Sequence, residues 1–143
     1  MKKFHVIAED DSLKVRVVAS TRAGFMTAAL EGLFTANRPQ FVETDIETRF
    51  VARETERDFS VGADDFPGLL AGFMEEALKL SGKNGEAYVG LRLNLITDTK
   101  AEGTFLGQPV TGFGHDLKGI DRRSLKVEKN QLGYWESTVS LKK

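Results

Sequence analysis

The chain has 143 residues, a net charge of −1, 41% hydrophobic and 29% charged residues, the profile of one soluble globular domain spanning 1–143. It contains no cysteine, which excludes thiol catalysis, iron–sulfur clusters and thiolate zinc sites and fits a cytoplasmic protein. No apolar run approaches the roughly 18 residues of a membrane span, and Phe4 to Ala8 is too short for a signal-peptide core, so no membrane partner is expected. Charge is unevenly spread. Residues 43–76 carry ten acids against three arginines, whereas 115–143 carry seven Lys/Arg against four acids.

Leu13, Val15, Val17 and Ala19 alternate with Lys14 and Arg16, which with residues 2–8 predicts a hairpin connected by Glu9-Asp10-Asp11-Ser12. Ser20 or Thr21 then caps a helix over 22–36, with Phe25, Ala29 and Leu33 on one stripe and Met26, Leu30 and Phe34 beside it. Asn37 and Pro39 end it. A second strand pair is predicted over 45–52 and 57–63, with Ile46, Phe50, Phe59 and Val61 inward. Asp64 or Asp65 caps a second helix over 66–80, Pro67 fits its first turn, and "SGKNG" (81–85) stops it. Gly68 and Gly72 each weaken that helix by about 1 kcal/mol relative to alanine.

A long strand follows with Val89, Leu91, Leu93 and Leu95 inside and Arg92 and Asn94 outside, and 101–106 continues the sheet. The glycines and proline of "GQPVTGFGHDLKG" (107–119) predict a loop. Strands near 123–129 and 134–141 close the chain around a turn at Asn130-Gln131, with Trp135, Val139 and Leu141 on one face. "FMTAAL" (25–30) and "FMEEAL" (73–78) occupy matching places, as a duplicated strand–strand–helix unit would. The class is α+β: two helices packed on antiparallel or mixed sheets, followed by a strand-rich C-terminal part.

Catalytic constellations are absent from the pattern. His5 alternates outward from Phe4 and Val6, there is no nucleophile elbow, and the glycines at 103, 107, 112 and 114 lack the ending of a phosphate loop. His115 beside Asp116 in a glycine-rich segment is the more informative histidine. Hard cations need several converging oxygens, and Glu9-Asp10-Asp11-Ser12 reads as a turn more readily than as a ligand set. Arg122-Arg123 and Lys142-Lys143 form basic pairs able to meet RNA or an acidic partner.

Taken in order, the strand pair, "TAALEGLF" (27–34), "LLAGFMEEALKL" (69–80), "GQPV" followed by a histidine, "LKVEK" (125–129) and "YWESTVSL" (134–141) resemble the archease family over essentially the whole chain. The resemblance implies a small cytoplasmic α+β protein that is not itself a catalyst. Archeases are accessory factors of the GTP-dependent RNA ligase of tRNA splicing, and some members are described as chaperone-like. It also implies an acidic metal site, and there the sequence departs. The family's His-Thr-Ala-Asp falls on Glu9, Asp10, Asp11 and Ser12, so serine stands where the ligand aspartate would be. The family's Leu-Asp ending is Leu141-Lys142-Lys143, and Lys118 to Arg123 replaces a Lys-x-x-Thr-Tyr-His segment. Asp10 and Asp11 remain as the only candidate ligands for Ca²⁺ or Mg²⁺, no cofactor is expected, and Lys142 is expected to lie beside those acids. His115, Arg122, Arg123, Lys142 and Lys143 are the expected contacts to a ligase, another RNA-processing protein or RNA. A divergent binding module without ligase activation is the alternative, and a metal-dependent hydrolase using Asp10, Asp11 and His115 a more distant one.

Overall fold

Thr21 and Asp65 start the two helices in the same way. Each is extended, and each side chain accepts a hydrogen bond from the backbone N–H three residues on, Gly24 at 3.0 Å and Gly68 at 2.8 Å. The computed structural model describes residues 1–9, 11–41 and 54–143. Their order is β1 (Lys2–Glu9), β2 (Ser12–Ala19), α1 (Arg22–Ala36), β3 (Pro39–Phe41), β4 (Thr55–Gly62), α2 (Phe66–Asn84), β5 (Glu86–Ile96), β6 (Lys100–Phe113), β7 (Gly119–Ile120), β8 (Glu128–Lys129) and β9 (Trp135–Lys142).

Two antiparallel sheets result. The first runs β1-β2-β9-β7, with β8 also paired to β9; in the second, β6 pairs with β3, β4 and β5. The α1 helix packs on β1 and β2 of the first sheet and on β5 of the second. Burial all round α1, from Phe25 and Met26 to Leu33 and Phe34, follows from that shared position. By contrast α2 buries one side, Phe66, Leu69, Leu70, Phe73, Met74 and Ala77, and leaves the other to solvent. Aromatic rings join these layers. Phe34 meets Tyr88 edge-on at 5.5 Å, Tyr88 stacks on Phe105 at 5.1 Å, and Phe105 stacks on Phe59 at 4.3 Å.

The α+β class and the strand-rich C-terminal part hold. Four local expectations change, each for a physical reason. The "SGKNG" stop acts four residues late: α2 continues through Asn84, and Gly85 closes it in the left-handed conformation at φ 64°, donating its N–H to Ser81. The segment from 107 to 113 is strand, not loop, because Gly103 and Gly107 serve close approach and not turning. A Cβ on Gly103 would lie 2.2 Å from the Arg92 carbonyl oxygen, and one on Gly107 2.7 Å from the Tyr88 ring.

The even alternation expected of Val89 to Leu95 breaks at two bulges, between Tyr88 and Gly90 and between Leu93 and Leu95. Each extra residue flips the faces, so Leu91 and Leu93 point in while Val89 and Leu95 are exposed. Finally, 123–129 is mostly irregular. Asp121 Oδ1 accepts the Arg123 N–H at 3.1 Å, and only Glu128–Lys129 pairs as strand. The predicted strand at 45–52, with Ile46 and Phe50, lies outside the described residues, and with it the first strand of the second repeat unit.

The α2 glycines differ in what surrounds them. A Cβ on Gly68 would crowd the Asp65 carboxylate at 2.9 Å, whereas one on Gly72 meets only the Arg122 guanidinium at 4.0 Å. Gly72→Ala is therefore expected to stabilise the protein by about 0.5–1 kcal/mol through helix propensity alone, seen as a raised thermal midpoint.

Candidate functional site

The register of the first sheet gathers the chain's two ends. Leu13 pairs with Leu141, which sets Lys142 one step further, level with Ser12. On its other side Lys142 pairs with Gly119, and its carbonyl accepts the Lys118 N–H at 2.7 Å. Where β1 turns into β2, Glu9 pairs with Ser12, and the Ser12 hydroxyl donates to the Glu9 carbonyl at 2.9 Å. Asp11 in that turn is exposed, and Asp10 lies outside the described residues. Among the described residues no ion pair joins Asp11 to Lys142.

Lys142 instead borders a cavity of about 570 Å³ that it shares with Glu75, Ile120, Asp121, Arg122 and Arg123. Two local devices build its wall. Asp121 accepts the Arg123 N–H at 3.1 Å and the Ser124 hydroxyl at 3.2 Å, which fixes the turn and holds both arginines outward. Arg122 then reaches back across the seam to α2, where its Nε and Nη2 donate to both Glu75 oxygens at 2.8 and 3.1 Å. That carboxylate raises the Arg122 guanidinium pKa further. Among the described residues Arg123, Lys142, Lys118 and Lys79 belong to no ion pair.

So the fold brings Arg122, Arg123 and Lys142 together and sets Ser12 beside Lys142's register position. His115 is held apart from the cavity: half-buried, it donates its backbone N–H to the Asn37 carbonyl at 3.1 Å, at the end of α1. Lys143 is exposed and does not line the cavity. Sequence reasoning passed over Glu75, Lys118 and Asp121. The first carries a readable signal, an acid at the edge of the apolar stripe of α2.

Among the described residues no three His, Asp or Glu side chains gather as a ligand set, and an ammonium stands level with Ser12. The cavity sets guanidinium and ammonium donors beside the Glu75 and Asp121 carboxylates, and among the described residues only Arg122 of these cations is held by a carboxylate.

A second polar cluster is internal. Glu86, its side chain 4% exposed, receives the Arg57 Nε and Nη2 at 2.9 and 3.0 Å and the Tyr88 hydroxyl at 3.0 Å. Arg57 holds the Glu86 carboxyl below the usual carboxylate range, while burial pushes the Tyr88 hydroxyl up to about 12. Tyr88 itself is fully buried, so this cluster ties the core to the Arg57 side chain at the surface.

No family profile matches the chain, and no curated protein matches it in sequence. Among solved structures, an archease and possible chaperone from Thermotoga maritima superposes with a TM-score of 0.63 over 96% of this chain and 94% of its own, at 12% identity. That likeness gives this chain the archease fold.

Proposed function

We propose that this archease-fold protein is a non-catalytic accessory protein that binds a GTP-dependent RNA ligase and raises its guanylylation. The fold, shared with an archease over nearly the whole chain, is the observation that supports this reading. The surface offered to a partner is the cavity where Arg122, Arg123 and Lys142 stand beside Glu75 and Asp121. No step is routed through a metal, since Lys142 would repel a cation at the level of Ser12. Adding the purified protein to a cognate ligase at stoichiometric concentration is expected to increase the guanylylated ligase fraction, read by label transfer from GTP. An unchanged fraction overturns the reading.

A second reading keeps the fold and serves a different partner, direct RNA binding included. The convergence of Arg122, Arg123 and Lys142 favours it, because side chains that neutralise phosphates release counterions. It requires RNA affinity that falls as salt rises.

A further inference from the structure

The first sheet ends on one flank in the short β7 and on the other in β1. Among the described residues no strand pairs with the outer side of β1. Ser20 donates its N–H to the Met1 carbonyl at 2.9 Å, which fixes the alternation of the β1–β2 ladder. Lys3, His5, Ile7 and Glu9 therefore direct their backbone groups to β2, while Lys2, Phe4, Val6 and Ala8 turn theirs to the open side. That side is unbroken. The register runs from Lys2 to Glu9 without a shift, and the strand contains no proline. By contrast β5, which pairs only with β6, carries two bulges of the kind that protect a sheet edge.

We infer that β1 is a two-fold interface, at which a second copy of this chain adds its own β1 antiparallel to form one continuous sheet. Charge selects both the occupant and the register. Antiparallel neighbours in one sheet set side chains of the same face opposite each other, so the two-fold axis passes through a residue. Centred on Val6, the pairing sets each Lys3 opposite Glu9 of the second copy and each Phe4 opposite its Ala8. Centred on His5, it sets histidine against histidine and leaves Lys3 facing an isoleucine. Centred on Ile7, it carries Lys3 past the end of the second strand. Lys3 and Glu9 are both exposed, and among the described residues neither belongs to an ion pair. A base near one end of the strand and an acid at the other is what self-pairing in this sense requires.

Lysine often blunts a sheet edge, but Lys2 does not do so here. It lies on the α1 side, where Glu31 of α1 holds its ammonium. The rest of that side is apolar. Phe4 lines a cavity of about 450 Å³ with Phe34, Phe41 and Val89, of which Phe41 and Val89 are 41% and 46% exposed. An added strand turns Phe4, Val6 and Ala8 of the second copy to this same side, extending the apolar cover beside the cavity.

The inference is independent of the accessory reading and is tested without a ligase. Sedimentation equilibrium is expected to show a dimer for the wild type. Lys3→Glu and Glu9→Lys are each expected to weaken it about tenfold or more, because each creates two like-charge contacts per dimer. Mixed in equal amounts, the two variants are expected to recover the dimer, since every side chain at position 3 then meets its opposite at position 9. Native mass spectrometry should find one copy of each variant in it. This recovery cannot arise from misfolding. Lys126→Glu, at an exposed lysine outside β1, is expected to leave the dimer unchanged. A wild type still monomeric at roughly 0.1 mM would leave the edge to a foreign strand and overturn the inference. So would a mixture that stays monomeric, or a loss in Lys126→Glu equal to that in Lys3→Glu.

Discussion

Gly103→Ala is expected to abolish the folded state at ordinary temperature or to cost more than about 4 kcal/mol, the range of severe overpacking. Gly103 sits mid-strand on β6, between Phe59 of β4 and Leu93 of β5. The added Cβ would stand 2.2 Å from the Arg92 carbonyl oxygen and 3.0 Å from the Leu93 Cα. Both obstacles are backbone, so no side-chain rotation relieves them. The strands must part, and the bulge between Leu93 and Leu95 already fixes β5 against β6 at that level. Gly112→Ala on the same strand is the internal comparison. Its Cβ would meet only the Gln40 side chain at 3.7 Å, ordinary van der Waals contact. Urea unfolding of the two variants is expected to differ sharply, and a Gly103→Ala midpoint near wild type would refute the argument.

Glu86→Ala is expected to lower stability by about 2–3 kcal/mol, equivalent to roughly 10 °C in thermal midpoint for a chain of this size. The substitution removes two guanidinium hydrogen bonds and the Tyr88 hydroxyl's carboxylate partner. Arg57 is 41% exposed and can recover water, which keeps the cost below that of an enclosed charge pair. The pH dependence follows from the depressed Glu86 pKa. Its contribution is fully present above the unfolded-state value of about 4.3 and is lost as pH falls through the lower folded value. The wild type is therefore expected to lose stability on acidification more steeply than Glu86→Ala. Part of the slope survives in the variant, because Arg16 also holds the Glu136 carboxyl low. Parallel acid limbs for the two proteins would show that the Glu86 pair contributes nothing.

Local chemistry was the legible part of this sequence. A cap is decided by one side chain and a backbone N–H three residues away, so each could be narrowed to two neighbours, Ser20 or Thr21 and Asp64 or Asp65, of which the second caps in both cases. Strand faces on β2 and β9 were equally plain, since Leu13, Val15, Val17 and Val139 alternate without interruption. The bulges of β5 were not, because an inserted residue changes parity without changing composition. Glycine misled for a related reason. The same residue type permits a turn and permits a neighbouring backbone to press close, and only the partner strand decides between them. The better signal around 104–113 was the set of strand formers Thr104, Phe105, Val110, Thr111 and Phe113. The basic pairs were visible as charge, whereas Glu75 and Lys118 join them through contacts far apart in sequence. Ser12 beside Lys142's position came from family resemblance, since no periodicity relates residue 12 to residue 142.

The pairing of β2 with β9 also governs when the molecule can finish folding. Leu13 to Ala19 must wait for Trp135 to Leu141, strands separated by most of the chain. During synthesis the β1–β2 hairpin emerges first, with the edge that β9 will occupy still open and α1 lacking half of its cover. Such distant closure is entropically late and slow, and an open strand edge in the interval invites pairing with another nascent chain. Removing β9 would leave that vulnerable intermediate as the end state, so loss of the last strand should appear first as aggregation and only second as lost binding.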